Sequence, residues 1–288
     1  MVAWLATRQQ LRAIGAGVAR TIIRLAMAVA LTCGGGATAT AADELYRAQA
    51  IVTGQGEANR LAGFATALED VLIKVSGAQD IAGSNRLKPY KSNAKDFVSA
   101  FSYHDQMSGT PTRDEQGTRD RPYDLTVEFN AKKIDALLPA LRLKPWHSHR
   151  PVLAVFVEMQ LGPKDYMVTS DAEQSALPRE SLLAAAARRG MNIVLPSTAA
   201  LAKAGITRAE PGTTSRAWGA MAVGQGGEAA LVGRLVWDDR ALGWATQWRI
   251  DWHGRSHRWQ VRRTNFDEAF RRGVGGAAQI LSGNGDPA

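Results

Sequence analysis

The sequence predicts a mixed α+β / α/β chain of two small mixed domains. The second is a helix-covered sheet ending in an antiparallel three-strand meander and a C-terminal helix. Three observations predict this. Over residues 57–75 apolar side chains recur at three- and four-residue steps, which gathers them on one helical stripe. The run "VLAVFVEM" from Val152 is near-continuously apolar, the mark of a strand buried on both faces. Residues 229–263 instead alternate between apolar and polar with period two, as half-buried strands do.

The first 42 residues differ from the rest. They hold Arg8, Arg12, Arg20 and Arg24 and no acid, then the apolar run "LAMAVALTC" and the small-residue exit "GGGATATAA". A basic start, a short apolar centre and small residues describe a secretory signal peptide at 1–42. Cleavage is expected after Ala42, with Ala39 or Ala41 as alternatives, and the protein is expected in the periplasm. An uncleaved amphipathic helix is the other reading. The apolar run falls short of the roughly 20 residues that span a bilayer. Cys33, the one cysteine, offers a minor alternative as a lipid anchor, although the preceding Ala30, Leu31 and Thr32 match such a signal poorly. Cleavage after Ala42 leaves no cysteine, which excludes disulfides, thiol catalysis and Cys-based metal sites.

Charge narrows the partners. The full chain has 35 basic and 27 acidic residues; without the four leader arginines the net charge falls from +8 to +4. That is mild for 246 residues, and an exported chain rarely meets nucleic acid. No nucleic-acid partner is therefore expected.

The N-terminal domain, 43–144, reads as strand, helix, strand, helix. In "ELYRAQAIVTG" Tyr46, Ala48, Ala50 and Val52 alternate toward a core. The helix at 57–75 follows, with Leu61, Phe64, Leu68, Val71, Leu72 and Val75 on its apolar stripe. Asp70 and Lys74 stand four apart on its polar side, and Gly77 stops it. A looser helical patch is expected near 92–101. The polar stretch 105–122 has no apolar period and predicts a long exposed loop. "YDLTVEFN" at 123–130 is the next strand; Asn130 caps a short helix that Pro139 breaks.

Residues 145–151, framed by prolines, predict a junction, and the C-terminal domain spans 152–288. After the strand at 152, a helix over 178–189 has Pro178 in its first turn, Arg188 and Arg189 in its last, and Gly190 as its stop. "NIVLP" is a strand, 214–223 a helix, and "AALVGRLVW" another strand. A final helix covers about 266–281. Asn265 and Glu268 have capping-box spacing, and Gly273, Gly275 and Gly276 permit close approach to a sheet.

The tryptophan-rich stretch decides between a polymer-binding surface and a core. On extended chain Trp244, Thr246, Trp248, Ile250 and Trp252 share one face, while Gln247, Arg249 and Asp251 take the other. Trp259 and Val261 then separate from Arg258, Gln260 and Arg262. A stacking platform needs rings and cations together, and this period parts them. The indoles are expected inside. Arg249, Arg258 and Arg262 form the candidate partner-binding patch, suited to an acidic partner or to anionic lipid headgroups.

Chemistry-bearing motifs are sparse. Gly54 and Gly56 sit in a strand-to-helix turn, but Asn59 takes the place of a third glycine and no Lys-Ser or Lys-Thr follows. His147 and His149 lie in the junction, and His253 and His257 flank a turn, with no acid at a recognisable metal-ligand spacing. Asp238 and Asp239 read as turn residues. No Gly-x-Ser-x-Gly elbow exists. No catalytic residue, metal site or cofactor site is assigned.

"ALEDVLIKVSG" at 67–77, "KPWHSHRPVLAVFVE" at 144–158, "AARRGMNIVLP" at 186–196 and "ALVGRL" at 230–235 together resemble the domain-of-unknown-function 2066 family. The resemblance implies a secreted protein of Gram-negative bacteria and supplies no catalytic residues. After "LP" the chain continues "STAA", where such proteins often carry an acid. In element order the second domain is also similar to periplasmic α/β modules that bind partner proteins, an analogy of fold alone.

The expected function is a periplasmic, envelope-associated accessory or protein-interaction module without an evident catalytic site, its partners envelope proteins, with anionic membrane contact as a further prospect. The alternatives are a periplasmic hydrolase with a site assembled from distant residues, and a glycan or other polymer binder using exposed tryptophans.

Overall fold

Strand β1 (Arg47–Thr53) opens the folded region in a computed structural model that describes residues 44–109, 113–114, 117–118, 121–209 and 215–287. The expected signal peptide, its cleavage position and Cys33 lie outside the described residues.

Ala48, Ala50 and Val52 of β1 point inward as their alternation predicts, leaving Ile51 72 % exposed. Helix α1 (Glu57–Ser76) packs on this inner face and stops at Gly77, whose φ of 77° is the left-handed conformation that favours glycine. Two expectations about α1 fail. Leu61 is exposed, and Asp70, expected on the polar side, is only 4 % exposed.

Next come α2 (Lys88–Ser92) and β2 (Val98–Asp105). The patch at 92–101 is therefore no helix beyond a single 3-10 turn at Ala94–Phe97. Its strand-favouring Val98, Phe101 and Tyr103 pair with a later strand, and that pairing wins. Within 105–122, expected as one loop, β3 (Arg113–Asp114) and β4 (Gly117–Thr118) form a short ladder. Strand β5 (Pro122–Phe129) lies between β1 and β2, antiparallel to both. The Asn130 side chain accepts from Lys133 N at the start of α3 (Ala131–Leu137), and a 3-10 turn follows where Pro139 stands.

Beyond the junction, β6 (Leu153–Leu161) is buried on both faces from Leu153 to Met159. It hairpins into β7 (Lys164–Met167), which "LGPKD" did not announce. Then follow α4 (Ala176–Arg188), β8 (Ile193–Val194), α5 (Thr198–Ala204), α6 (Ser215–Gly224), the strands β9 (Ala229–Asp238), β10 (Gly243–Trp252) and β11 (Arg255–Thr264), and α7 (Phe266–Leu281). The sheet runs β11–β10–β9–β6–β7, with β8 also beside β6. β9 lies parallel to β6, and β9–β10–β11 is the expected antiparallel meander. The fold is thus mixed α and β.

Helices α4 and α7 cover one face of this sheet. Leu182 and Ala186 of α4 and Phe270 and Val274 of α7 meet Val155, Leu231, Trp248 and Trp259. Asn265 caps α7 by accepting from Glu268 N. The α7 glycines explain themselves here: a Cβ on Gly273 would lie 2.4 Å from the Trp248 ring, and one on Gly276 2.7 Å from Trp259. Against the opposite face, α5 and α6 pack Leu201, Trp218 and Ala222 on Ala154, Phe156 and Val232. They reach as far as β9, and among the described residues no helix packs on β10 and β11 on that side.

Polar contacts tie the two sheets across the junction. Asp70 of α1 accepts from Arg188 Nε at 2.8 Å and lies 3.6 Å from Arg189 Nη1. Trp146 is buried, its N–H donates to Val75 O, and Arg150 stacks 4.2 Å over its ring while donating to the carbonyls of Lys74 and Arg189. Burial lowers the Arg150 pKa to about 10.

Candidate functional site

The face of β10 and β11 left open by α5 and α6, together with the neighbouring face of β9, collects the side chains that alternation sends away from the indoles. The structure brings the three expected arginines to this one face. Arg249 and Arg258 stand directly opposite each other on β10 and β11, and Arg262 lies one face position beyond Gln260. Their surroundings differ. Arg249 is largely buried and bonds its near neighbour Asp251, with Nη2 3.0 Å from Oδ2. Arg258 and Arg262 are exposed and make no salt bridge among the described residues; Arg262 donates to Gln260 at 3.2 Å.

Register aligns two rows across the sheet. One runs Glu158, Arg234, Gln247, Gln260 from β6 to β11; the other runs Phe156, Val232, Arg249, Arg258. Each row passes from a covered centre to an open edge. Glu158 is 2 % exposed, accepts from Ala209 N at 2.9 Å, and faces Arg234 Nε at 3.5 Å. Arg234 also donates to Gln160. Sequence reasoning missed Arg234. The usable signal was a lone arginine inside "ALVGRLVW", on the opposite alternation from Leu231 and Leu235.

A bulge adds another cation. Arg262 and Arg263 together stand opposite Ala245, and Arg263 takes a φ of 56°. The extra residue turns consecutive arginines toward the same cleft, as bulges re-aim side chains. Two adjoining clefts of about 520 and 460 Å³ result, sharing Arg234, Gln247 and Gln260, with Trp218 of α6 forming one wall. Guanidinium groups on such a face suit carboxylates, which they bind with two parallel hydrogen bonds.

The histidines lie elsewhere, and three of them, His147, His149 and His257, stand beside an acid. His147 contacts the Tyr46 hydroxyl at 2.9 Å and lies 3.6 Å from Asp135. Burial, and next the hydrogen bond to Asp135, raise the Tyr46 pKa. His257 bonds Asp286, and His253 sits in the β10–β11 turn. Among the described residues no three His, Cys, Asp or Glu side chains converge. Gly54 adopts φ 75° and donates to Arg121 O, an ordinary turn.

His149 bonds Glu228 at 2.7 Å, and Glu228 also accepts from Val152 N. The Val152 N–H first, then His149, lower the Glu228 pKa below the usual range. A depressed folded-state pKa stabilises above the ordinary glutamate pKa, and this is lost as pH falls through the lowered value. Glu228→Gln should therefore melt below the parent at neutral pH and converge with it in acid. Melting curves from neutral pH into acid check this, and a gap that widens in acid refutes it.

The model of a family described as a domain of unknown function (DUF8605) matches residues 39–147. The resemblance to the 2066 family is thereby overturned: the match spans "ALEDVLIKVSG" and assigns it to a different family. The moderately specific motifs of that stretch are short amphipathic-helix patterns that unrelated folds share. No curated protein matches the chain.

Proposed function

We propose that the chain is an exported accessory module of the cell envelope that binds an acidic partner protein on the arginine-lined open face of its larger sheet. One observation carries the reading. Three strands deliver Arg234, Arg249, Arg258, Arg262 and Arg263 to one concave face, while the other face of the same strands is filled by α4 and α7. Export rests on the character of residues 1–42 alone. The buried Trp244, Trp248 and Trp259 offer no ring to a sugar or base, which counts against a polymer binder.

Arg258→Glu with Arg262→Glu tests the reading, since both side chains are exposed and their reversal leaves the core alone. A photo-crosslinker at Gln260 in intact cells should capture acidic neighbours, and the double reversal should remove at least tenfold of that signal. Identical neighbours at undiminished yield would sink the proposal. An exposed crosslinker at Ile51 serves as the control.

A further inference from the structure

We infer that the partner is held as an added β-strand along β11, by an extended acidic segment of another protein. This rests on the docking reading above and deepens it. β11 is a ten-residue strand at the end of the sheet, paired among the described residues with β10 alone. Among the described residues no further backbone hydrogen bond reaches Arg255–Thr264. The strand contains no proline, and the bulge at Arg262 and Arg263 lies near its end, leaving 255–261 regular. The opposite end of the sheet is only the four-residue β7. A long unpaired edge is a template for another chain unless something blocks it.

Charge selects what can pair. A second copy aligned antiparallel about Gln260 would set Arg258 against Arg262 at both ends, and like charges directly opposite are destabilising. In that register the edge resists its own kind. An acidic strand meets the reverse situation. Facing side chains on paired strands approach to about 5 Å, within reach of an arginine–carboxylate bond.

Register then sets the pattern of the incoming segment. Arg258, Gln260 and Arg262 recur on the open face, so acids opposite the arginines stand four residues apart with a polar residue midway. The intervening residues turn to the α7 side. There a cleft of about 200 Å³ opens, with Trp259 and Val261 on its β11 side and Gln79, Asp80, Glu268 and Arg272 around them. Small side chains that rest a methyl group on Trp259 and Val261 suit it. The C-terminal segment touches this side through Asp286 and Pro287 but forms no ladder with β11 among the described residues. The recognised segment thus reads acid, apolar, polar, apolar, acid.

A labelled peptide Thr-Glu-Val-Thr-Val-Glu-Thr tests this against the full-length protein, read by fluorescence anisotropy and by hydrogen exchange of β11 amides. The expected result is saturable binding, slowed exchange within 255–264, at least tenfold loss with Arg258→Glu/Arg262→Glu, and at least tenfold loss when proline replaces the central threonine of the peptide. Proline removes an N–H and the strand geometry but keeps both charges. If the proline peptide binds as well as its parent, the acid docks on the face without strand addition; the inference falls and the docking reading survives. If neither peptide binds, the inference also falls, and the Gln260 crosslink decides the docking reading separately. Arginine-dependent binding to phosphatidylglycerol vesicles without peptide binding overturns both in favour of a membrane surface.

Discussion

Trp248→Ala is expected to lower the free energy of unfolding by about 3–5 kcal/mol, and Tm by on the order of 10 °C for a chain of this size. The ring is 2 % exposed. It fills the space left by Gly233 on β9 and Gly273 on α7, and meets Phe270 edge-on at 6.4 Å. A Cβ on either glycine would press within 2.4 Å of it. Both glycines weaken their own elements, by about 1 kcal/mol for the helical one. They are tolerated because the indole occupies what their side chains vacate. Trp248 Nε1 has no hydrogen-bond partner, so truncation forfeits packing and creates a cavity rather than breaking a polar contact. Trp248→Phe should therefore recover much of the loss. Urea denaturation of the three proteins measures the series. Wild-type stability in Trp248→Ala, with only peptide binding lost, would mean the ring serves a ligand instead of the core.

That indole was legible because a strand's period is short and local. "WATQWRIDW" divides into a tryptophan face and a polar face without knowledge of any neighbour, and β10 keeps that division. The same reasoning placed Arg249, Arg258 and Arg262 on one face. It could not say that Asp251 claims Arg249, because two residues sharing a face do not reveal which way each reaches. Arg234 stayed hidden while the apolar character of β9 dominated its segment, and its role became visible only with the register to Gln247. Strand β2 was misread because its identity depends on β5, which supplies all its ladder bonds from about two dozen residues away. His149 found an acid at Glu228, just before the strand that pairs with β6. Local periods thus disclose faces, while partners require the fold.

Asp70 shows how far a local reading can mislead, and it carries the second large effect. Spacing suggested a surface pair with Lys74; instead Lys74 donates to the carbonyls of Glu44 and Arg47, and Asp70 faces Arg188 and Arg189, the "RR" that ends α4. Burial works against the Arg188 charge, but the Asp70 hydrogen bond and field outweigh it and raise that pKa; for Arg189 burial prevails and lowers it. Arg189 is 5 % exposed, its Nη1 has no hydrogen bond, and its Nε donates to Gln79. Asp70→Asn would leave that guanidinium buried without the carboxylate that acts on it most strongly, at a cost of about 3–5 kcal/mol. A buried charge left alone is what makes the loss large, so removing the arginines first should erase it. In an Arg188→Met/Arg189→Met background Asp70→Asn should cost less than about 1 kcal/mol, a coupling of a size expected for residues in one network. Urea denaturation of all four proteins gives that coupling directly. Additive losses would show that Asp70 acts alone and that the charges do not fasten α1 to α4. A coupled loss would show that this carboxylate, beside the Trp146 and Arg150 contacts, fastens the smaller sheet to the arginine-bearing one.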